Sequence, residues 1–257
     1  MKIALMDSGI GLLAAAAAVR RLRPDADLVL SSDPDGMPWG PRTPADLTER
    51  ALATARAAAE HRPDALIVAC NTATVHALDA IRAELEPGIP VVGTVPAIKP
   101  AAAAGGPVTI WATPATTGSP YQRDLIRTFA ADVDVTEVPC PGLADAVEEA
   151  DGAAIAEAVA AAAALTPKDT KVLVLGCTHY ELVTGQIRAA VGEAPVFLGS
   201  ADAVAAQALR RAGTSPAPAD TPPGDLTVLL SGRTAALPAA ALAYDQGRLL
   251  GAASPTR

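Results

Sequence analysis

Aromatic side chains are scarce in this sequence, only 3% of its 257 residues, with two Trp and two Phe among them. A core so poor in large rings has to be built from Ala, Val and Leu packed closely between helices and sheet. Basic residues are also in deficit: 20 Lys and Arg face 28 Asp and Glu, a net charge of −8. A general nucleic-acid binder would show a basic face instead. No apolar run is long enough to span a bilayer; the longest Ala-rich stretch, Ala153 to Leu165, is short and carries Glu157. The apolar run Leu12 to Val19 follows Asp7 and Ser8 and precedes Arg20-Arg-Leu-Arg23, so it reads as the first helix of a βα unit and not as a secretion signal. Three cysteines make no disulfide framework in a chain of this length. They fit a reducing compartment, the cytoplasm. There is no Cys-x-x-Cys pair, and His61, His76 and His179 are scattered, so no metal site is expected. A Walker loop is absent, and Asp7-Ser-Gly-Ile-Gly11 is an incomplete dinucleotide fingerprint. Its N–H groups at a helix start could hold a carboxylate instead.

Against these absences stand two cysteines in near-matching settings. Cys70 lies in Leu66-Ile-Val-Ala-Cys-Asn-Thr-Ala73, and Cys177 in Val172-Leu-Val-Leu-Gly-Cys-Thr-His179. Each follows a short apolar run and a small residue, and each precedes amide or hydroxyl side chains. That pattern puts both thiols at the C-terminal ends of buried strands, where open α/β sheets place their chemistry. Asp7 and Thr113 end two further strands, and Asp7 precedes Cys70 by nearly the same interval as Thr113 precedes Cys177. The chain therefore reads as two similar halves. Strands and helices alternate in both, which predicts parallel sheets flanked by helices. The tail departs from the repeat: a Pro-rich stretch, Thr214 to Gly224, reads as a flexible or polyproline-like connector before a strand at Thr227–Leu230 and a helix near Leu237–Ala243.

Few reactions need two thiols and nothing else; moving a proton from one face of a carbon to the other is one. A thiolate is the reactive form, and Asp7 and His179 offer one acid–base partner per half. Asp7 would reach Cys70 only if the first and third strands are neighbours; its bland alternative is a helix N-cap. Cys140, in Val138-Pro-Cys-Pro-Gly142, lacks an obvious base and reads as a packed core thiol. Ser8, Asn71, Thr72, Thr113, Thr116, Thr117 and Thr178 add neutral donors at strand ends, suited to a small polar anion.

Five separated blocks make the chain resemble glutamate racemase, a family of cofactor-independent enzymes that supply D-glutamate for peptidoglycan. They are Asp7-Ser-Gly9, Pro38-Trp-Gly40, Ala69-Cys-Asn-Thr-Ala73, Thr113 to Tyr121, and Leu175-Gly-Cys-Thr-His-Tyr180. The resemblance implies two pseudo-symmetric α/β lobes, each a mostly parallel sheet flanked by helices, with the active site in the interlobe cleft. Residues 1–94 with 207–257 would form the first lobe and 95–206 the second. Cys70 and Cys177 would stand on opposite faces of the substrate Cα, Asp7 assisting the first and His179 the second. Ser8, Trp39, Gly40, Asn71, Thr72, Thr113, Thr116 and Thr178 fall on substrate-holding positions, and Glu148 resembles a carboxylate near the substrate amine. The implied partner is glutamate, with no cofactor, metal, nucleic acid or membrane; a homodimer is allowed. Three residues depart from the family pattern: Leu12 replaces a Gly, Trp39 a Tyr and Glu181 a Pro. Trp39 would enlarge a wall of the substrate site and remove a phenol hydroxyl. His179 favours glutamate over aspartate, since aspartate-acting relatives tend to carry an acid there. The alternatives are a racemase for another small acidic amino acid or a hydantoin, or a non-catalytic two-lobed binder of a small anion.

Overall fold

A computed structural model describes residues 1–252; residues 253–257, counted above with the first lobe, lie outside the described residues. The chain divides into two compact units, Met1–Thr94 together with the chain from Ala201 onward, and Val95–Ser200. The first unit opens with β1 (Lys2–Asp7), α1 (Leu13–Leu22), β2 (Asp27–Ser32), α2 (Pro44–Ala59), β3 (Ala65–Val68), α3 (Asn71–Leu85) and β4 (Val91–Gly93). The second contains α4 (Ile98–Ala104), β5 (Val108–Ala112), α5 (Pro120–Phe129), β6 (Val135–Pro139), α6 (Leu143–Glu149), α7 (Gly152–Leu165), β7 (Val172–Leu175), α8 (Thr184–Val191) and β8 (Val196–Leu198). The chain then returns through α9 (Ala201–Arg211), β9 (Leu226–Leu230), β10 (Arg233–Ala235) and α10 (Asp245–Ala252).

The sheets carry the repeat. Strand order is β10-β9-β2-β1-β3-β4 in one unit and β6-β5-β7-β8 in the other. Taken without the tail hairpin, each half puts its first strand between its second and third and its fourth outside the third. All these pairs are parallel, and β9–β10 alone among the described pairs is antiparallel. The fold is thus α/β, with two mostly parallel sheets flanked by helices.

Strands buried on both faces read as continuous apolar runs, and β3, β7 and Ile3–Met6 of β1 do so. Alternate residues then serve opposite faces. Ala4, Met6, Leu66 and Val68 pack with Leu47 and Ala51 of α2 in one cluster. In the second unit Ile110 and Val174 pack with Ile98 of α4. Each fully buried Leu, Ile or Val is worth about 1.5–3 kcal/mol. The aromatic deficit is met as expected: Ala14 to Ala18 of α1 are all buried, and this helix packs against α9 and α10. Methyl-sized side chains on every side let three helices approach closely.

The return to the first unit comes at Ala201, not at 207 as the sequence suggests. The physical reason is that α9 packs on α1, β3 and β4 of the first unit. The Pro-rich stretch differs from a free connector. Ala217 N–H donates to Leu22 O at 2.9 Å and Gly224 N–H to Pro24 O at 2.9 Å, so it lies along the corner between α1 and β2. The tail helix forms later than expected: only Ala241–Ala243 makes a short 3₁₀ turn, and α10 follows it.

Candidate active site

In each unit the candidate residues gather at the C-terminal ends of the strands, because each parallel βα unit turns there. In the first unit β1 ends at Asp7, followed by Ser8. β3 leads to Cys70, followed by Asn71 and Thr72, and the loop after β2 carries Trp39 and Gly40. In the second unit Thr113 and Thr116 follow β5, Cys177, Thr178 and His179 follow β7, and Glu148 lies on α6 beyond β6.

β1 and β3 are direct neighbours, with Met6 opposite Val68 and Ala69 N–H donating to Met6 O at 2.8 Å. Asp7 and Cys70 therefore leave adjacent strand ends. Asp7 is fully buried, and its Oδ1 accepts from Ser8 N–H at 2.7 Å and from Ser8 Oγ at 3.4 Å. Cys70 is the N-cap of α3, a helix of 15 residues that begins at Asn71. The sequence alone places that helix start at Thr74. Its earlier start puts the thiol against the positive end of the helix, where thiolates are stabilised.

The second thiol is equipped differently. Gly176 N–H donates to Trp111 O at 2.7 Å, the counterpart of the Ala69–Met6 bond. A Cβ at Gly176 would sit 2.7 Å from that same carbonyl oxygen, so only glycine lets β7 close on β5 there. Cys177 is half-buried and precedes a short 3₁₀ turn, Thr178–Val183, in place of a long helix. That turn aims the buried His179 back at the thiol: Nδ1 lies 3.8 Å from Cys177 Sγ, and Nε2 lies 2.9 Å from Glu148 Oε2. A carboxylate only accepts, so the Nε2 proton faces Glu148 and Nδ1 is left to exchange a proton with the sulfur. Cys177, His179 and Glu148 thus form a thiol–imidazole–carboxylate chain. The family resemblance names all three and sets Glu148 near the substrate amine; the short α6 that carries it is not legible in the sequence.

The remaining candidates fall into place by unit. Thr113 and Thr116 hydroxyls lie 3.2 Å apart, and Thr116 and Thr117 N–H groups both donate to Thr113 O at 2.9 Å. Gly118 N–H, closing that turn, donates to Glu137 Oε1 at 2.9 Å. Ser8, Asn71 and Thr178 are buried, Thr72 half-buried and Gly40 exposed. Trp39 is not an open wall. Its side chain is 2% exposed, in the same cluster as Cys70, and Nε1 donates to Asp33 Oδ2 at 3.1 Å. Asp33 is the residue sequence reading overlooks; an Asp before a Pro signals an ordinary turn.

Cys140 lies in the core at 1% exposure, with Sγ 3.6 Å from Val138 O. Burial, reinforced by neighbouring Cys177, pushes its thiol up to about 12. Tyr180 beside it is raised well above the ordinary phenol range by burial, and its hydroxyl donates to Cys140 O at 3.4 Å. Among the described residues no three His, Cys, Asp or Glu side chains converge as a metal ion would require. No helix among them is long and apolar enough to cross a membrane.

Comparison with known proteins places the chain in a family. The family model for Asp/Glu/Hydantoin racemases matches residues 11–209. The chain is 38% identical to a glutamate racemase of Roseiflexus sp. (strain RS-1) over 208 residues, 79% of this chain and 76% of that one. It is 36% identical to a glutamate racemase of Pseudomonas putida (strain KT2440) over 227 residues, 86% of this chain and 85% of that one. Among solved structures, Escherichia coli glutamate racemase in complex with L-glutamate and an activator superposes with a TM-score of 0.79 at 27% identity, covering 94% of this chain and 91% of that one. The chain therefore belongs to the Asp/Glu racemase family, on its glutamate racemase branch, and is an amino-acid racemase, an isomerase.

Proposed function

We propose that this enzyme interconverts L- and D-glutamate without a cofactor, Cys70 and Cys177 being its two acid–base groups, and that it supplies D-glutamate for peptidoglycan in the cytoplasm. The observation that carries the reading is the matched pair of thiols, one at the third-strand end of each repeated sheet, each with its own acid–base neighbour. In one direction a thiolate takes the α-proton and becomes a thiol. The electron pair left on Cα is delocalised into the α-carboxylate. The second thiol delivers its proton to the opposite face and becomes a thiolate. The reverse reaction exchanges the roles, so each turnover leaves the two sulfurs with their protonation exchanged. Asp7 serves the first thiol. His179, held by Glu148, serves the second. The donors of Ser8, Asn71, Thr72, Thr113, Thr116 and Thr178 hold the substrate's carboxylates, and the oxygens of the same side chains can accept from its ammonium.

The test is a panel of L- and D-amino acids followed by circular dichroism, after exhaustive dialysis and with chelator present. Glutamate should lose its optical activity from either enantiomer. Turnover of aspartate or a hydantoin alone, or turnover restored only by pyridoxal phosphate or a divalent metal, would overturn the reading. A D-glutamate auxotroph should grow without supplement when it carries the wild-type gene, and should fail to grow with Cys70→Ser.

A further inference from the structure

Asp33 joins its own loop, which carries Trp39 and Gly40, to three other segments of the first unit, one of which carries Asp7 and Ser8. It follows β2 and is 7% exposed. A carboxylate that deep must be satisfied by donors. Oδ2 accepts from Trp39 Nε1 at 3.1 Å and from Arg50 Nη1 at 3.4 Å. Oδ1 accepts from Ser231 Oγ at 3.3 Å, at the turn between β9 and β10. Its main chain is equally engaged: N–H donates to Ser8 O at 3.1 Å, and the carbonyl accepts from Gly36 N–H at 3.0 Å. Ser8 in turn holds Asp7 through its own N–H and hydroxyl. A Cβ at Gly36 would fall 1.9 Å from Asp33 Oδ2 and 2.4 Å from Arg50 Nη1, so the carboxylate and guanidinium pack directly on the bare glycine backbone.

We infer that Asp33 is a positioning residue of the glutamate site: its carboxylate fixes the Trp39 indole, and with it Gly40, while its backbone pins the turn that holds Asp7. This rests on the glutamate reading above. It also gives Trp39 a role specific to this chain. The indole N–H donates to a buried carboxylate, so the tryptophan that replaces the family's usual tyrosine is tied to Asp33. A phenol at 39 presents its hydroxyl at a different reach and loses that bond. Trp39→Tyr should therefore weaken glutamate binding, not restore it.

The experiment uses the full chain with Trp111→Phe, which lies outside the site, so that Trp39 is the sole tryptophan. Asp33→Asn, Gly36→Ala and Trp39→Tyr are compared with that background for KM and kcat in both directions. Trp39 emission is recorded in the first two variants. Asp33→Asn keeps an acceptor but sets an amide against Arg50. Gly36→Ala displaces the same carboxylate from the other side without touching its charge. All three should raise KM for both enantiomers by roughly tenfold with kcat held within about twofold, and the first two should shift the indole emission. Loss of a merely structural residue lowers the folded fraction instead: kcat falls and KM stays. That outcome, or an unmoved emission maximum in both Asp33→Asn and Gly36→Ala, would overturn the inference. A wild-type protein that does not racemise glutamate at all would mark failure of the glutamate reading itself, and the inference falls with it.

Discussion

The two thiols occupy corresponding strand ends, yet their surroundings differ in kind. Cys70 caps a helix of 15 residues and leaves the sheet beside a buried carboxylate, Asp7. Cys177 caps only a 3₁₀ turn and faces an imidazole that Glu148 holds from behind. One half sets its thiol at a helix terminus beside a buried carboxylate; the other sets its thiol beside an imidazole held by a second carboxylate. A repeated fold fixes where a reactive group stands, and the segment that follows the strand decides how its proton is handled.

The comparison breaks most completely at the sulfurs. Cys70→Ser and Cys177→Ser should each abolish racemisation in both directions, by about a thousandfold or more, because each proton route uses both groups. Cys140→Ser should keep most of the activity. A folded Cys140→Ser that is inactive beside an active Cys177→Ser would reverse the assignment.

Smaller and more telling are the partners. Asp7→Asn should lower one directional kcat more than the other, and His179→Asn should do the opposite. Glu148→Gln should follow His179→Asn with a loss of about 10- to 100-fold, the worth of one hydrogen bond to a charged group. The equilibrium constant between enantiomers is one, so compensation must appear in KM. Equal losses in both directions for Asp7→Asn and His179→Asn would remove the case for separate roles.

Next come the small residues before each thiol. Gly176→Ala must push against Trp111 O and should cost about 1–3 kcal/mol, with Cys177 displaced. The reciprocal change, Ala69→Gly, should cost only about 0.5–1 kcal/mol. Thermal unfolding of both variants measures the difference; equal shifts would mean that the two strand ends are not distinct.

The mildest test uses pH. A thiol near 12 is almost wholly protonated at pH 8, so Cys140 should resist alkylation while the half-buried Cys177 reacts. Its folded value lies above the ordinary thiol value of 9.0. The stability it contributes is therefore complete below about pH 9 and is lost as pH rises from there toward 12. Cys140→Ser should lose less stability than the parent over that window, seen in denaturant midpoints.

Much of this was legible in the sequence because strand ends are. The runs before Cys70 and Cys177, the acid after the first strand and the matching intervals gave the α/β class and the placement of the candidates. Less legible was anything set by long-range packing. α6 has seven residues between Gly142 and Ala150, both in left-handed conformation, too few for a 3.6-residue period to register. Its Glu148 meets His179 across 31 residues of chain. The start of α3 at Asn71 was hidden by Asn and Thr, which favour caps and turns over helix interiors. Asp33 read as a turn residue because its partners, Arg50 and Ser231, come from α2 and from the tail hairpin.

The central claim is that two different groups handle the proton on the two faces of the substrate carbon. The most direct measurement starts the reaction from L-glutamate in heavy water and follows Cα protium by proton NMR during the first turnovers. The account predicts that D-glutamate forms with solvent deuterium at Cα while the remaining L-glutamate keeps its protium. D-glutamate that retains the substrate's own proton, or deuterium entering recovered L-glutamate as fast as it enters product, would contradict it.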